Sequence, residues 1–396
     1  MTTTPLGLRP GRRDLRRSLV ESGALQPDWL PTYEVIDRAA FLPSDLWPFD
    51  MIDKKSVHVG KATESQGWYA AADSDRPLVT QWDDGRHTGP SPGRVATSSS
   101  SAPSVVYRLL ADLDLDHGMN VLDCGTGTGE TAAALTNRAG PGRVTTVDID
   151  HAVSSQAQQR LHAAGLHPHI VVSDGSAGHS PRAPYHRTLV TYALHQIPHA
   201  LIGQTSRGGL IVAPWGTTYG NANAVVRLRS DGHSASGPFL RGVEFMHSRT
   251  QRRRPIDPGA YVPPEGVKGA ATTTTDITED DFGSGRYGPL PFVLGLRVPG
   301  CVQASADKRD TTRAVWFYSL TDRSWACALF RDGASTRVWQ SGPRYLWSEV
   351  EAAYQWWLDI GRPDVDRFGL TVTPDGQYAW LDEPQHSWAI AGTGEA

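Results

Sequence analysis

The chain has 396 residues, of which 42 are acidic and 38 basic, and its formal net charge of −4 gives no general attraction to nucleic acid or to an anionic membrane surface. A hydrophobic fraction of 39% and a charged fraction of 20% are typical of a globular protein, and the length favours two domains. No apolar run is long enough to span a membrane, and three scattered cysteines favour neither a disulfide framework nor a metal site.

The first region of the chain, residues 1–94, is predicted to be an N-terminal extension with helices and substrate-side loops. Residues 1–5 lack the apolar stretch of a signal peptide, which favours a cytoplasmic protein. A basic helix is predicted over residues 12–25, and we expect its arginine face to be solvated, with binding of an acidic peptide as the alternative. Most of the chain up to about residue 90, and the segment 83–104, are predicted to be irregular.

From residue 105 to about residue 242, predicted helices and strands alternate along the chain. The predicted strands cover residues 120–124, 144–149, 169–172, 188–191 and 210–214, and the predicted helices cover 105–113, 130–139, 152–164 and 198–204. Such alternation is typical of a parallel sheet with helices on both faces. Ligands of these sheets bind beyond the carboxyl ends of the strands.

A glycine-rich turn follows the first strand of this region. Asp123 ends the strand, and the sequence Gly125-Thr126-Gly127-Thr128-Gly129 leads into a helix, a geometry that brings backbone N–H groups against a nucleotide-like ligand. Gly129 follows Gly127 by two residues, whereas a dinucleotide fingerprint needs three, which disfavours a Rossmann oxidoreductase. The G-x-G-x-G form resembles the cofactor loop of S-adenosylmethionine-dependent methyltransferases. Glycine turns also serve packing alone, and this remains the alternative.

Acidic residues close the next two strands. Asp148 and Ile149 end the second strand, about 20 residues beyond the glycines, where a carboxylate can accept ribose hydroxyls. Asp174 and Gly175 follow the third strand, where a carboxylate can meet an adenine amino group. A single acid at a strand end is most simply a solvated turn residue, but three in order favour a site. The candidate cofactor-binding residues are therefore Asp123, Gly125, Thr126, Gly127, Thr128, Gly129, Asp148, Ile149, Asp174 and Gly175.

The composition changes after a polar linker predicted over residues 249–262. Residues 263–396 are predicted to form a Trp-rich α+β domain. It has strands over 314–319 and 326–330, an amphipathic helix over 346–358, and two strands joined by Pro374-Asp375-Gly376. Its tryptophans are expected mainly in the core, with a peptide-binding face as the alternative.

Several blocks between about residues 95 and 245, within a predicted Rossmann domain over 95–248, resemble protein-L-isoaspartate O-methyltransferases. They are Ser101-Ala102-Pro103 before a helix, residues 184–191, residues 197–201 and residues 208–214. The resemblance implies an α/β, Rossmann-like S-adenosylmethionine-dependent methyltransferase with an N-terminal extension and an α+β C-terminal appendage. The repair enzymes of this family are expected to end soon after these blocks, whereas this chain continues for about 150 residues.

Residues 97–104, 351–358 and 368–376 resemble the homologues found in ATP-grasp peptide maturation systems. This implies O-methylation of an Asp side chain on a ribosomally made precursor peptide crosslinked by an ATP-grasp ligase (a graspetide), followed by collapse of the ester to an aspartimide. The alternatives are the same chemistry on a lanthipeptide, isoaspartyl protein repair, and a peptide-binding protein without turnover.

The reaction implied by the resemblance needs no general base or metal, because a carboxylate is already anionic near neutral pH. By resemblance, Ser101 is the catalytic hydroxyl that orients the acceptor carboxylate. His195 by itself is more simply a surface residue than a proton shuttle. The candidate substrate-binding residues are Ser100, Ala102, Pro103, Tyr192, His195, Ile197 and Pro198.

Overall fold

A computed structural model describes residues 8–282 and 288–390. The chain forms two compact units that interleave along the sequence. The first unit comprises the chain up to residue 191 with residues 200–212 and 230–232, and the second comprises residues 192–199, 213–229 and the chain from 233 onward. The linear boundaries at residues 94, 248 and 262 stay a prediction. Residues 1–5, on which the signal-peptide expectation depends, lie outside the described residues.

The first 100 residues contain more regular structure than the sequence predicts. The helices are α1 (Pro10–Glu21), α2 (Leu30–Val35) and α3 (Ser65–Ala72), and a 3-10 turn covers Arg38–Phe41. The strands β1 (Asp45–Asp50), β2 (Lys55–Ser56), β3 (Val59–Gly60), β4 (Leu78–Trp82) and β5 (Ala96–Ser100) form an antiparallel sheet in the order β2-β1-β4-β5, and β3 pairs with β1. The irregular interpretation of this region was therefore wrong, because short strands of mixed composition lack the alternation that reveals a strand.

The arginine face of α1 differs from its prediction. Arg12 is buried and donates hydrogen bonds to the backbone carbonyls of Tyr33 and Ile36. Arg13 and Arg17 are exposed, as expected. Part of the predicted solvated face therefore packs against the end of α2 and the residue that follows it.

The alternating region forms the predicted parallel sheet. Its elements are α4 (Pro103–Asp112), β6 (Val121–Cys124), α5 (Glu130–Ala139), β7 (Val144–Asp148), α6 (His151–Ala163), β8 (His169–Val172), β9 (Tyr185–Val190), α7 (His199–Gln204) and β10 (Thr205–Gly216). The parallel strands of the first unit lie in the order β10-β9-β6-β7-β8. The carboxyl ends of β6, β7 and β8 are therefore adjacent, which confirms the predicted fold class.

The second unit contains two sets of strands. Its elements are β11 (Asn223–Ser230), β12 (Ala235–Val243), β13 (Ala271–Thr275), α8 (Glu279–Phe282), α9 (Leu290–Arg297), β14 (Cys301–Ser305), β15 (Thr312–Ser319), β16 (Trp325–Arg331), β17 (Ala334–Ser341), α10 (Leu346–Asp359), β18 (Phe368–Thr373), β19 (Gly376–Leu381) and β20 (Ser387–Ile390). One set has the order β20-β19-β18-β12-β11 and the other β13-β17-β16-β15-β14. The predicted helix and the β18–β19 hairpin are confirmed, since Thr373 pairs with Gly376 across the Pro374-Asp375 turn.

The aromatic residues of the second unit fall into two groups. Four of the eight tryptophans between Trp316 and Trp388 are buried, namely Trp325, Trp347, Trp357 and Trp380, whereas the others are half-buried.

Within the described part of the chain, no helix combines the length and apolarity that crossing a bilayer requires.

Candidate functional site

The glycine-rich turn between β6 and α5 has a conformation that side chains rarely adopt. Gly125, Gly127 and Gly129 have φ values of +107°, +52° and +94°. Glycine takes positive φ without steric cost, so the spacing in the sequence sets the path of the turn. The amide of Gly127 donates a 2.9 Å hydrogen bond to the Asp148 carboxylate, which ties the turn to the end of β7. The turn leads directly into Glu130, the first residue of α5.

A layer of hydroxyl groups and one acid lies beneath this turn. Asp123 is fully buried and accepts a 2.8 Å hydrogen bond from the hydroxyl of Thr146. The hydroxyls of Thr146 and Thr126 are 2.6 Å apart, and the Thr191 hydroxyl donates to the Gly125 carbonyl at 2.9 Å. Burial raises the pKa of Asp123 to about 7. Asp123 and Thr126 thus support the turn, and the sequence analysis did not single out Thr146 or Thr191 as site residues.

The ends of β7 and β8 present acids beside exposed apolar side chains. The two carboxylate oxygens of Asp148 accept hydrogen bonds from the amides of Gly127 and Asp150 at 2.9 and 3.0 Å. Asp148 is in register with Val172. Ile149 and Val172 are 43% and 48% exposed, so two large apolar side chains lie at the ends of these neighbouring strands. This edge therefore combines a fixed carboxylate with an apolar surface.

Asp174 and Gly175 lie just after β8. The Asp174 carboxylate accepts a 2.9 Å hydrogen bond from the amide of Ser176 and caps the 3-10 turn Gly175–Ala177. Gly175 is buried, and its carbonyl accepts the thiol of Cys124, with a sulfur–oxygen distance of 3.7 Å. The predicted cofactor residues that follow β6, β7 and β8 are therefore at one edge of the sheet, where parallel α/β proteins bind ligands.

The serine-rich segment before α4 is strand β5, not the predicted loop. Ser98 and Ser100 are buried, and Ser99 and Ser101 are half-buried, as expected for alternate faces of a strand. The carbonyl of Ser99 lies near the glycine turn, because a Cβ atom at Gly127 would be 3.8 Å from it. This strand brings Ser101 toward the same part of the first unit as the turn.

The predicted Ser101-Ala102-Pro103 motif joins β5 to α4. Pro103 is buried at the first position of the helix, where its missing N–H has no cost. The hydroxyl of Ser101 makes no hydrogen bond with any described residue and is half-buried. The hydroxyl of Ser100, by contrast, accepts from Arg38 Nε and donates to Glu130 Oε2, both at 2.9 Å. Ser101 is therefore available to a ligand, whereas Ser100 belongs to an internal network.

Arg38 and Glu130 form the charged part of that network, and the sequence did not reveal either of them. The Nε of Arg38 lies 3.7 Å from Oε2 of Glu130. Burial lowers the pKa of Arg38 and raises the pKa of Glu130, while each charge partly offsets the shift of the other.

The remaining predicted substrate residues belong to the second unit. His195 is buried, so its interpretation as a surface residue was wrong. Its ring stacks on His247 with centroids 4.5 Å apart, and Nδ1 donates to the Gly216 carbonyl at 2.8 Å. Burial lowers the pKa of His195 and lowers that of His247 to about 4, so both rings are neutral near pH 7.

The segment from Tyr192 to Pro198 is fixed by two glutamines. Gln377 accepts from the amide of Ile197 at 2.8 Å and donates to the carbonyl of His195 at 2.9 Å. Gln251 accepts from the amide of His195 at 2.8 Å. Tyr192 and Pro198 are half-buried, and Ile197 is buried. The roles of these four residues toward a substrate stay a prediction.

Comparison with known proteins decides the family. The sequence profile of the family Protein-L-isoaspartate(D-aspartate) O-methyltransferase matches residues 91–247. A protein-L-isoaspartate O-methyltransferase of Xanthobacter autotrophicus is 43% identical over 161 residues, which are 40% of this chain and 68% of that protein. The chain belongs to this family. A second such protein, from Hyperthermus butylicus, is 32% identical over 188 residues, which are 45% of this chain and 71% of that protein.

Other members of the protein-L-isoaspartate O-methyltransferase family match over a smaller share of their length. The chain covers 57% of the relative from Ignicoccus hospitalis, at 37% identity over 121 residues, and 66% of that from Azorhizobium caulinodans.

A solved structure named protein-L-isoaspartate O-methyltransferase has the same fold, with a TM-score of 0.53 at 18% identity, and covers 94% of this chain and 100% of its own. The expectation that such enzymes end soon after the shared blocks does not hold for that structure. The length of the C-terminal region therefore does not separate this chain from proteins of that name.

Proposed function

We propose that this chain is an S-adenosylmethionine-dependent O-methyltransferase that esterifies a carboxylate of a protein or peptide. The observation that carries this proposal is the sheet edge where the glycine turn is bonded to Asp148 beside the exposed side chains of Ile149 and Val172. Membership of the protein-L-isoaspartate O-methyltransferase family supports the same reaction.

The residues at this edge fit the parts of S-adenosylmethionine. The carboxylate of Asp148 would accept hydrogen bonds from ribose hydroxyls, and Ile149 and Val172 offer apolar contact for a planar base. Asp174 would meet the amino group of that base. The glycines at positions 125, 127 and 129 let a ligand approach the backbone closely, because they carry no side chains of their own. When bound, this cofactor supplies an electrophilic methyl group.

The reaction requires little of the protein beyond alignment of the two reacting groups. The acceptor carboxylate is ionised near neutral pH, so its oxygen forms a bond to the methyl carbon while the carbon–sulfur bond breaks, and no proton moves. The protein must hold the reacting atoms at about 3–3.5 Å and exclude water. Ser101, whose hydroxyl is without a partner among the described residues, would donate a hydrogen bond that orients the carboxylate.

Replacement of Ser101 tests this role. Ser101→Ala should lower kcat for methyl transfer by about 10- to 100-fold, because a misaligned carboxylate loses part of the orientation effect. The affinity for S-adenosylmethionine, measured by calorimetry, should change by less than about twofold, since the hydroxyl has no part in the cofactor edge. Ser99→Ala, at a half-buried serine two residues earlier in β5, is the matched control. A covalent adduct trapped on Ser101, or unchanged turnover in the variant, would contradict the proposal.

We further propose that the substrate is a ribosomally made peptide crosslinked by an ATP-grasp ligase, and that the methylated Asp closes to an aspartimide. In that closure the next backbone nitrogen attacks the ester carbonyl and methanol leaves. The resemblance of residues 97–104, 351–358 and 368–376 supports this substrate. A lanthipeptide and isoaspartyl repair are the alternatives, and a cytoplasmic location belongs to the same proposal.

The aromatic face of the second unit supports a peptide substrate. In register across β15, β16 and β17, the row Trp316–Cys327–Trp339 lies next to the pair Tyr318–Trp325. Trp316 and Trp339 are half-buried, and the face is partly covered by residues of the segment 256–270. Arg337 lies over the Trp339 ring, 5.8 Å from its centroid. Half-exposed tryptophans beside a cation are common anchors for peptides.

A further inference from the structure

Arg38 has an unusual set of contacts for a residue outside the cofactor edge. It lies in the 3-10 turn Arg38–Phe41 of the first unit and is 6% exposed. Its Nη2 donates to the carbonyls of Ser101 and Ser100 at 2.9 and 3.1 Å, and its Nε donates to the Ser100 hydroxyl at 2.9 Å. The same guanidinium donates to the carbonyls of Ser74 and Arg76, both at 2.9 Å. Arg38 therefore fixes the backbone on both sides of the Ser100–Ser101 bond.

The same network reaches the helix that follows the glycine turn. The Ser100 hydroxyl donates to Glu130 Oε2 at 2.9 Å, and that oxygen lies 3.7 Å from Arg38 Nε. Glu130 is the first residue of α5 and follows Gly129 directly. The candidate acceptor side, Ser101, and the candidate cofactor side, the glycine turn, are thus joined by the buried side chains of Arg38 and Ser100 and by the carboxylate of Glu130, whose side chain is 12% exposed.

A buried charge is costly unless it is paired and hydrogen-bonded. The planar guanidinium, with five N–H donors in a fixed fork, can satisfy several acceptors at once, whereas a lysine ammonium is a point charge with three rotatable donors. An arginine at this position therefore sets the distance between backbone groups in a way that lysine cannot reproduce.

We propose that Arg38 is a positioning residue for methyl transfer, holding Ser101 at a fixed distance from the glycine turn through Ser100 and Glu130. The inference rests on the proposed function and adds a residue to it. The guanidinium of Arg38 donates to the backbone carbonyl of Ser101, so Arg38 would act on the acceptor through that backbone. Loss of the planar guanidinium should misplace the acceptor carboxylate by up to about one ångström, which is enough to lower the rate of methyl transfer strongly.

Arg12 provides a matched control in the same unit. It is 8% exposed, close to the value of Arg38, and also donates to backbone carbonyls, those of Tyr33 and Ile36. It also lies 3.9 Å from the Asp37 carboxylate, and its hydrogen bonds and this ion pair do not include the serine strand or α5. A general loss of stability should therefore affect Arg12→Lys and Arg38→Lys alike, whereas a loss of positioning should affect only Arg38→Lys.

The experiment compares the two lysine variants of the full chain at a temperature where both remain folded. For Arg38→Lys we expect kcat on a carboxylate-bearing peptide to fall about 10- to 100-fold, with KM for S-adenosylmethionine within about threefold of wild type. For Arg12→Lys we expect kcat within about twofold of wild type. Equal kcat losses in both variants, or wild-type kcat in Arg38→Lys, would overturn the inference.

Hydrogen–deuterium exchange gives a readout that does not need turnover. Amides of residues 98–102 should exchange about tenfold faster in Arg38→Lys than in wild type, and should be unchanged in Arg12→Lys. If Arg38→Lys does not fold, Glu130→Gln removes the charge while retaining an acceptor for Ser100, and should show the same exchange pattern with a smaller change. If the wild-type chain transferred no methyl group, the proposed function would be contradicted. If the amides of residues 98–102 exchanged at the wild-type rate in Arg38→Lys, the positioning role of Arg38 would be contradicted.

Discussion

Asp148 combines two tasks at the residue scale, because the carboxylate that faces the candidate ribose position also holds the glycine turn. Its oxygens accept from the amides of Gly127 and Asp150 at 2.9 and 3.0 Å. A carboxylate that is held by backbone amides cannot rotate away, so it is preorganised to accept hydrogen bonds from a ligand.

Asp148→Ala should weaken S-adenosylmethionine binding by about 10- to 150-fold, which corresponds to the ~1.5–3 kcal/mol of a hydrogen bond to a charged group. Isothermal titration measures this change directly. Asp116→Ala, an exposed carboxylate of the same unit, is the control and should leave the affinity unchanged. An unchanged affinity in Asp148→Ala would remove the cofactor assignment of this edge.

Asp123 gives a prediction for the dependence of stability on pH. Burial raises its pKa from 3.8 to about 7 in the folded chain. Between those values the folded state holds a proton that the unfolded state has lost, so the free energy of unfolding falls as the pH rises. The contribution of Asp123 is therefore fully present below about pH 4 and is lost as the pH passes about 7, a change on the order of 4 kcal/mol.

Asp123→Asn removes this titration, so its stability relative to wild type should rise between pH 5 and pH 8. Urea denaturation at both pH values, with the difference between variant and wild type taken at each, isolates the effect. The hydroxyl of Thr146 donates a hydrogen bond to the Asp123 carboxylate and would constrain the orientation of the side-chain amide in Asp123→Asn. Thr146→Val, which removes this donor, serves as a second variant. A constant difference between the two pH values would show that Asp123 titrates normally.

At the scale of elements, β5 shows how a strand can form without a strand-like sequence. Four consecutive serines have neither apolar alternation nor strong β propensity, and the sequence therefore favoured a loop. In the structure β5 pairs with β4, with Ser100 opposite Leu78 and Ser99 opposite Val79. The pairing partner and the buried Arg38 decide the conformation, because they satisfy the polar groups on the inner face.

This alternation predicts unequal effects of two neighbouring substitutions. Ser100→Ala removes the group between Arg38 and Glu130 and should lower the free energy of unfolding by about 1–3 kcal/mol, since buried polar atoms lose a partner. Ser99→Ala, on the other face, should change it by less than about 0.5 kcal/mol. Chemical denaturation of both variants provides the comparison. Equal effects would indicate that β5 does not present alternate faces.

At the scale of the whole molecule, the second unit adds a half-buried aromatic face to a methyltransferase-like first unit. Ordering a flexible peptide costs roughly 1–2 kcal/mol per residue, so a crosslinked peptide would bind with a smaller entropic penalty. If this face binds the peptide, it would therefore favour the proposed crosslinked substrate over its linear form.

We therefore expect the chain to methylate a crosslinked precursor and to fail on its linear form. Mass spectrometry should show a gain of one methyl group, followed by loss of methanol as the aspartimide closes. Trp339→Ala should raise KM for the crosslinked peptide without changing that for the cofactor, and Trp388→Ala, half-buried elsewhere in the unit, is the control. Equal rates on both peptides, or rapid turnover of a generic isoaspartyl peptide, would favour the repair reaction.

The sequence by itself determined the local features of the candidate site. Positive φ at Gly125, Gly127 and Gly129 is a requirement that only glycine meets cheaply, so the turn is visible in the residues themselves. The strands β6, β7 and β8 could likewise be found along the chain, because each is an apolar run that ends in an acidic residue. Such patterns are properties of short segments. The α/β fold followed from these segments, whereas the family resemblance followed from the blocks at residues 101–103, 184–191, 197–201 and 208–214.

Only the tertiary structure decided the contacts between distant segments. Arg38 and Ser100 are 62 residues apart, and Ser100 and Glu130 are 30 residues apart, so no local pattern links them. The backbone carbonyl of His195 likewise accepts a hydrogen bond from Gln377, 182 residues further along the chain. The sequence does not distinguish a solvated polar residue from a buried one. Only the contacts of that residue in the folded chain set its burial, its pKa and its role.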